Sequence, residues 1–167
     1  MAEAIAVAER GHLLAFTFED MMRYHGPHSP GGVAMAFKVM QRAFPALSPD
    51  RPPPRRSITV RTAFRGPGAR DGFEAVTRAV TEGRYTVDRA LVRTDRGRLL
   101  EDFVFEVGLG EADVVLVLRE GFVTDEFIDL ARTDDRSDEQ ERRLDELKAR
   151  LAHRVMGTPA AQVYDLA

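Results

Sequence analysis

Two histidines stand three residues apart in a short segment rich in glycine and proline, His25-Gly-Pro-His28-Ser29-Pro30. Imidazole changes its charge near neutral pH, so such a pair can supply an acid and a base, or can bind a metal ion. Ser29 and Pro30 are types preferred at the start of a helix, where free N–H groups attract anions. The alternative is that both histidines are ordinary residues of an exposed loop.

Two further sets of charged residues lie downstream. Asp71 and Glu74 have the spacing of a capping box at a helix start, and either carboxylate can also serve as a ligand or a base. Arg84 follows the end of that predicted helix and can hold a carboxylate or a phosphate, or can be solvated. The sequence has no motif of a phosphate-binding loop, a serine hydrolase or a zinc protease.

The composition limits the chemistry further. The chain has 167 residues, of which 44% are apolar and 31% are charged, a mix typical of one globular domain. It contains no cysteine, which excludes disulfide bonds, cysteine-bound zinc, iron–sulfur clusters and a thiol nucleophile. The first 98 residues are basic and the remainder is acidic, but no nucleic-acid-binding motif accompanies the basic part, so we expect no nucleic-acid partner.

The N-terminal segment has neither a basic start nor an apolar run of signal-peptide length. No stretch approaches the roughly 18 consecutive apolar residues that a membrane-spanning helix needs. We therefore expect a cytoplasmic protein without a membrane span.

Hydrophobic spacing predicts the elements that position the candidate residues. The predicted helices cover 13–24 (with Thr17 as N-cap), 30–44, 71–83, 124–132 and 138–156, and the predicted strands cover 57–64, 85–93, 98–107 and 112–119. This order predicts an α+β fold, with helices packed on one mixed, mainly antiparallel four-stranded sheet and a C-terminal helical extension. We place the α+β domain at 1–133 and the extension, packed on it, at 134–167.

In two of the predicted helices, the distribution of apolar residues around the helix indicates how the helix packs. The helix over 30–44 is apolar around most of its circumference and should be the central buried helix, with Lys38 on its opposite, polar stripe. The helix over 138–156 has a narrow apolar stripe that includes Leu144, Leu147 and Val155. This stripe is compatible with docking on the domain or with contact to a second copy, so we expect a homodimer.

The order of these segments resembles that of the FmdE family, named after a component of formylmethanofuran dehydrogenase, over residues 13–166. The first loop and the apolar helix after it are similar to the family signature His-Gly-His-x-Cys-Pro-Gly. Residues 68–77 resemble its Cys-x-x-Asp-(Gly/Ala) segment, and residues 81–84 resemble its Thr-x-Gly-Lys turn. The resemblance implies an α+β domain related to the larger domain of glyceraldehyde-3-phosphate dehydrogenase, often dimeric, with a metal site, commonly zinc.

The chain departs from the family pattern at every thiol position. Ser29 replaces the signature cysteine, Pro27 occupies the second histidine position, and His28 is displaced by one. The resemblance then implies either a harder site for one divalent metal, such as zinc, built from His25, His28 and Asp71, or a metal-free pocket in the same place.

Two functional hypotheses follow. In the first, the chain is a divergent, stand-alone FmdE-like enzyme of metabolism or biosynthesis with acid/base or metal chemistry of the lyase, isomerase or hydrolase type. It would bind a small polar or anionic molecule over the start of the 30–44 helix. The residues assigned to catalysis are His25, His28, Ser29 and Asp71, and those assigned to ligand binding are Tyr24, Lys38, Glu74 and Arg84. In the second, the chain is a non-catalytic metal- or cofactor-binding accessory protein, or a dimeric scaffold.

Overall fold

The computed structural model describes residues 2–167 and confirms the α+β class. The helices are α1 (Phe18–His25), α2 (Pro30–Leu47), α3 (Pro67–Thr77), α4 (Asp125–Ala131), α5 (Asp138–Met156) and α6 (Ala160–Val163). The strands are β1 (Ala4–Glu9), β2 (His12–Thr17), β3 (Ile58–Thr62), β4 (Tyr85–Val87), β5 (Val104–Leu109), β6 (Ala112–Leu118) and β7 (Tyr164–Leu166).

The two strands β1 and β2 form an antiparallel hairpin separate from the main sheet. Arg10 and Gly11 join them with φ values of 51° and 80°, the combination of a type I′ turn, which matches the twist of a hairpin. The prediction of a helix from Leu13 is wrong, because the backbone stays extended to Thr17. At Thr17 the predicted capping box with Asp20 forms and starts α1.

The main sheet has the strand order β4-β3-β5-β6-β7, with a parallel β3–β4 pair and antiparallel pairs elsewhere. It is mixed and mainly antiparallel as predicted, but it has five strands rather than four. The additional strand is β7, which starts at the fully buried Tyr164. The Tyr164 hydroxyl donates a hydrogen bond to Met35 Sδ at 3.0 Å, which ties this strand to α2.

The predicted strands over 85–93 and 98–107 are shorter than expected. β4 ends at Val87 and β5 begins only at Val104, and short 3₁₀ turns lie between them. Gly97 has a φ of 85°, as its predicted turn requires. The turn does not join two strands as a hairpin, because the backbone around it is folded into these 3₁₀ turns.

The helix α2 forms the centre of the core, as its apolar residues predict. It continues through Pro45 to Leu47, beyond the predicted end. The helix α3 packs closely on it, since a Cβ added to Gly32 would lie only 2.8 Å from the backbone nitrogen of Ala69. α3 begins at Pro67, so the predicted capping box at Asp71 is wrong, and Asp71 lies inside the helix.

The bounds of α5 and its capping box between Ser137 and Gln140 agree with prediction. Its apolar stripe is buried, and Leu151 Cδ2 lies 3.0 Å from the position of a Cβ added to Gly31 on α2. The stripe therefore docks on α2, and it is not available as a contact with a second copy. Among residues 2–167, no helix is long and apolar enough to cross a membrane.

Candidate functional site

The last residue of α1, His25, is paired with Asp71 from the middle of α3. His25 Nδ1 lies 2.8 Å from Asp71 Oδ2, and the His25 side chain is only 4% exposed. The other ring nitrogen, Nε2, accepts a hydrogen bond from the backbone N–H of Ser29 at 3.1 Å. Because Nε2 accepts this hydrogen bond, the imidazole proton lies on Nδ1, which donates it to the Asp71 carboxylate. His25 thus joins α1, α3 and the start of α2.

This arrangement restricts what His25 can do, because both of its ring nitrogens are engaged. A substrate proton or a metal ion would have to displace the Ser29 N–H to reach Nε2. His28 is exposed, and its carbonyl oxygen accepts from Lys148 Nζ at 3.3 Å. In the part of the chain that the structure describes, no three His, Asp or Glu residues are arranged to hold a metal ion. The residues present therefore do not fit the zinc site that the FmdE resemblance implies.

The N-terminus of α2 is covered rather than open. Ser29 is its N-cap as predicted, but no hydrogen bond from a described residue reaches its side chain in the manner of a cap. A Cβ added to Gly68 would collide with the carbonyl oxygen of Ser29 and would lie 3.1 Å from the backbone nitrogen of Val33. The backbone of α3 therefore occupies space that an anion over this helix start would need.

A cavity of about 590 Å³ lies along α1 and α3. We call it the α1–α3 cavity. The residues whose side chains define its chemistry are Phe16, Tyr24, Arg55, Glu74, Arg78, Thr81 and Asp20, whose carboxylate is paired with Arg23. Tyr24 directly precedes His25, and Glu74 lies about one helical turn beyond Asp71, so the pair and the cavity share the same two helices.

The charged residues of the α1–α3 cavity are held in place by hydrogen bonds. Glu74 is buried, its Oε2 accepts from the backbone N–H of Thr81 at 2.8 Å, and its Oε1 lies 3.3 Å from Arg78 Nε. The Glu74 carboxylate thus closes the loop that follows α3. Arg78, which ends α3 with a φ of 58°, is 44% exposed. Its guanidinium is the cation of the cavity that is best placed to meet a ligand.

Arg55 forms the rear wall of the cavity. Its Nε donates to the Val76 carbonyl at 2.8 Å, its Nη2 donates to the Ala75 carbonyl at 3.0 Å, and its Nη1 pairs with Glu9 at 3.3 Å. Its guanidinium lies 5.3 Å from the ring centroid of Phe16, within cation–π distance. Arg55 therefore fixes the shape of the wall and contributes a positive potential.

The sequence-based prediction missed Tyr85, whose hydroxyl is buried without a hydrogen-bond partner among the described residues. Burial raises the pKa of this hydroxyl to about 12, while the positive charge of Arg70 lowers it and the negative charge of Asp71 raises it. These charges place the hydroxyl within electrostatic range of the His25–Asp71 pair. No local sequence signal identifies it, because its burial depends on the pairing of β4 beside β3, which sets Tyr85 opposite the buried Val60.

Two predicted ligand-binding residues lie elsewhere. Arg84 donates to the carbonyls of Ile58 and Thr77 and pairs with Glu82, so it holds the end of α3 against β3, away from the α1–α3 cavity. Lys38 lies about 12 Å along α2 from its start, is only 1% exposed, and contacts Glu3 Oε2 at 3.4 Å. Lys38 lies on the stripe opposite the apolar face, and it is buried there because α2 is enclosed on almost all sides.

The structure thus brings together His25, Ser29 and Asp71, with Tyr24 and Glu74 alongside them, and leaves His28 exposed. Comparison with known protein families finds no family model that matches this chain, and comparison with curated proteins finds no match. The functional conclusion therefore depends on the geometry of the site.

Proposed function

We propose that this protein binds a small organic anion in the α1–α3 cavity, as a divergent FmdE-like protein that has kept a pocket and changed its chemistry. One observation carries the proposal. The cavity is lined by Tyr24 and Glu74, two of the residues that the sequence predicts to bind ligand, and these lie on the same two helices as His25 and Asp71.

The lining of the cavity defines the class of ligand. Arg78 and Arg55 supply positive charge, which suits a carboxylate or a phosphate. Phe16 and Tyr24 supply aromatic surface, which suits a planar or apolar part of the same molecule. The Glu74 carboxylate pairs with Arg78 at 3.3 Å, so it holds the guanidinium in place and offsets part of its positive charge.

His25 acts as a positioning residue in this proposal. It fixes the end of α1, and with it Tyr24, against α3 through Asp71. An enzymatic role for the same pair is the second candidate, because a carboxylate that holds Nδ1–H is also how an acid/base histidine is oriented. That role requires the Ser29 N–H to leave Nε2 when substrate binds, so that Nε2 can take a proton from the substrate.

The wider predictions stay open. A homodimer remains a prediction, and it would have to use a surface other than the docked stripe of α5. Location in the cytoplasm and a non-catalytic accessory role also remain predictions.

The test is a thermal-shift screen with a panel of aromatic carboxylates and aryl phosphates, using wild-type protein, Arg78→Gln and the control Arg98→Gln. Arg98 is 45% exposed and also paired with acidic side chains, but it lies between the main sheet and α4. We expect at least one compound to stabilise the wild type and Arg98→Gln. Loss of a charge-assisted hydrogen bond in Arg78→Gln should weaken its affinity about tenfold or more. Equal binding to Arg78→Gln, or no binding by any member of the panel, would sink the proposal.

A further inference from the structure

A second cavity, of about 380 Å³, lies between β1, the C-terminal half of α2 and the proline-rich segment 48–53. We call it the β1 groove. Its apolar walls come from Ile5, Met40 and Phe44, and its lining shares no residue with the α1–α3 cavity. It is therefore independent of the proposed function.

One edge of β1 opens into this groove. β2 pairs with the other edge, and on the groove side the Ala8 N–H donates to the Pro53 carbonyl at 2.9 Å. Peptide groups alternate in direction along a strand, so those of Ala4 and Ala6 point to the same side as that of Ala8. Both residues line the groove, and no strand within residues 2–167 pairs with β1 there. The edge thus presents backbone donors and acceptors that are ready to pair.

The proline-rich segment 48–53, which forms the opposite wall, offers too few backbone donors to pair fully with this edge of β1. Pro49, Pro52 and Pro53 line the groove, and proline has no backbone N–H to donate to the carbonyl oxygens of β1. The parallel bridge between Ala8 and Pro54 marks where pairing between the two segments begins. Beyond it, the groove continues along β1 without a paired strand in the described chain.

Gln41 provides an independent sign of a missing partner. It lines the groove from α2, and its Oε1 is buried with no hydrogen-bond partner among residues 2–167. A buried acceptor that is left unpaired costs about 1–3 kcal/mol. A carboxamide at this depth matches the N–H groups of a peptide backbone, so an extended peptide would satisfy both Gln41 and the edge of β1.

We propose that the β1 groove binds an extended peptide segment of a partner protein, which adds a strand beside β1. The partner backbone pairs with Ala4 and Ala6, and one large aliphatic or aromatic side chain enters between Phe44 and Met40. Peptide addition to an open sheet edge uses main-chain hydrogen bonds for affinity and pockets for alternate side chains for specificity. The distance from Ala4 to Ala8 is about 13 Å at the usual rise per residue, so four or five partner residues fit.

The test uses a panel of blocked pentapeptides, acetyl-Thr-Xaa-Thr-Xaa-Thr-amide, in which each Xaa is Val, Leu, Ile, Met or Phe. The panel is titrated into ¹⁵N-labelled full-length protein at millimolar concentration, and the amide signals are followed. We expect at least one peptide to shift the signals of Ala4, Ala6 and Ala8 and of the Gln41 carboxamide. A version of that peptide with its inner amides N-methylated should not bind.

Three variants complete the experiment. Ala6→Pro removes the groove-facing N–H while keeping the bonds to β2, and it should weaken binding about tenfold or more. Leu13→Pro, the control, removes an outward N–H from the far edge of the hairpin and should leave binding unchanged. Gln41→Leu should weaken binding severalfold while the fold stays intact, so it decides the outcome if Ala6→Pro does not fold.

Three results would overturn the proposal. The first is that no peptide of the panel shifts these signals. The second is that Gln41→Leu and the N-methylated peptide bind as well as their unmodified counterparts. The third is that the signals of the β1 groove change with protein concentration alone and the peptides do not compete, which would assign the groove to a second copy of this chain.

Discussion

The hydrogen bond between His25 and Asp71 gives the sharpest test of how α1 is held against α3. Replacing Asp71 by alanine removes the acceptor and leaves the His25 Nδ1–H in a position where the side chain is only 4% exposed. Replacing it by asparagine keeps an amide oxygen that can still accept this hydrogen bond, but removes the negative charge. The two substitutions therefore separate the loss of the bond from the loss of its charge.

The structure sets the expected magnitudes. A buried donor left without an acceptor costs about 1–3 kcal/mol. Asp71 itself is 23% exposed, so water can partly replace its carboxylate, and we expect Asp71→Ala to lower the free energy of unfolding by about 2 kcal/mol. Charge assistance roughly doubles the strength of a hydrogen bond, so Asp71→Asn should cost about 1 kcal/mol. A double-mutant cycle with His25→Ala should give a coupling energy of about 1–2 kcal/mol.

The assay is urea unfolding followed by circular dichroism, with unchanged m-values as the sign that the unfolding transition is comparable. Asp145→Ala, on the exposed face of α5, is the control and should remain close to wild type. If Asp71→Ala lies within about 0.5 kcal/mol of wild type, or if asparagine costs more than alanine, the bridging role of His25 is refuted.

Three further predictions follow from the packing. Burial raises the pKa of Tyr85 to about 12, so the hydroxyl loses its proton at a lower pH in the unfolded chain than in the folded protein. The free energy of unfolding should therefore fall as pH rises above about 10. Tyr85→Phe should make that fall less steep in urea titrations at several pH values. Gly68→Ala should lower the stability by about 2 kcal/mol or more, because its Cβ collides with Ser29. Gly110→Ala meets no neighbouring atom, but its φ of 62° strains any residue other than glycine, so it should cost only about 1 kcal/mol in the same thermal melts. Leu147→Glu should destabilise the fold without changing the mass in light scattering, and a halved mass would show that the α5 stripe joins two copies.

The sequence predicts those elements whose signals are local. α5 has a capping box at Ser137 and an apolar stripe of regular spacing, and its bounds agree with the structure. α2 has a proline at its first position and an almost continuous apolar surface. The β1–β2 hairpin was missed because its strands are short and its turn, Arg10-Gly11, lacks the usual asparagine or aspartate. β7 was missed because its strand identity depends on pairing with β6 rather than on its own pattern.

The sequence predicts which residues belong to the site but not how they are arranged. The resemblance to the FmdE family implied that His25 and Asp71 act together, and they meet at 2.8 Å across 46 residues of sequence. The engagement of both ring nitrogens depends on how close α3 lies to Ser29, which no local pattern encodes. Helical spacing likewise places Lys38 opposite the apolar face of α2, but it does not show that neighbouring elements enclose that side of the helix too.

The enclosure of α2 also determines the order in which the molecule opens. Every residue from Val33 to Met40 is buried, so the amide hydrogens of this stretch can exchange with solvent only when the whole domain unfolds, and their exchange rates report the global stability. The β1–β2 hairpin lies outside the main sheet, so its amides should exchange through smaller openings. The β1 groove lies where this slowly exchanging helix meets the hairpin, so a ligand could enter there through a small opening of the hairpin without unfolding α2.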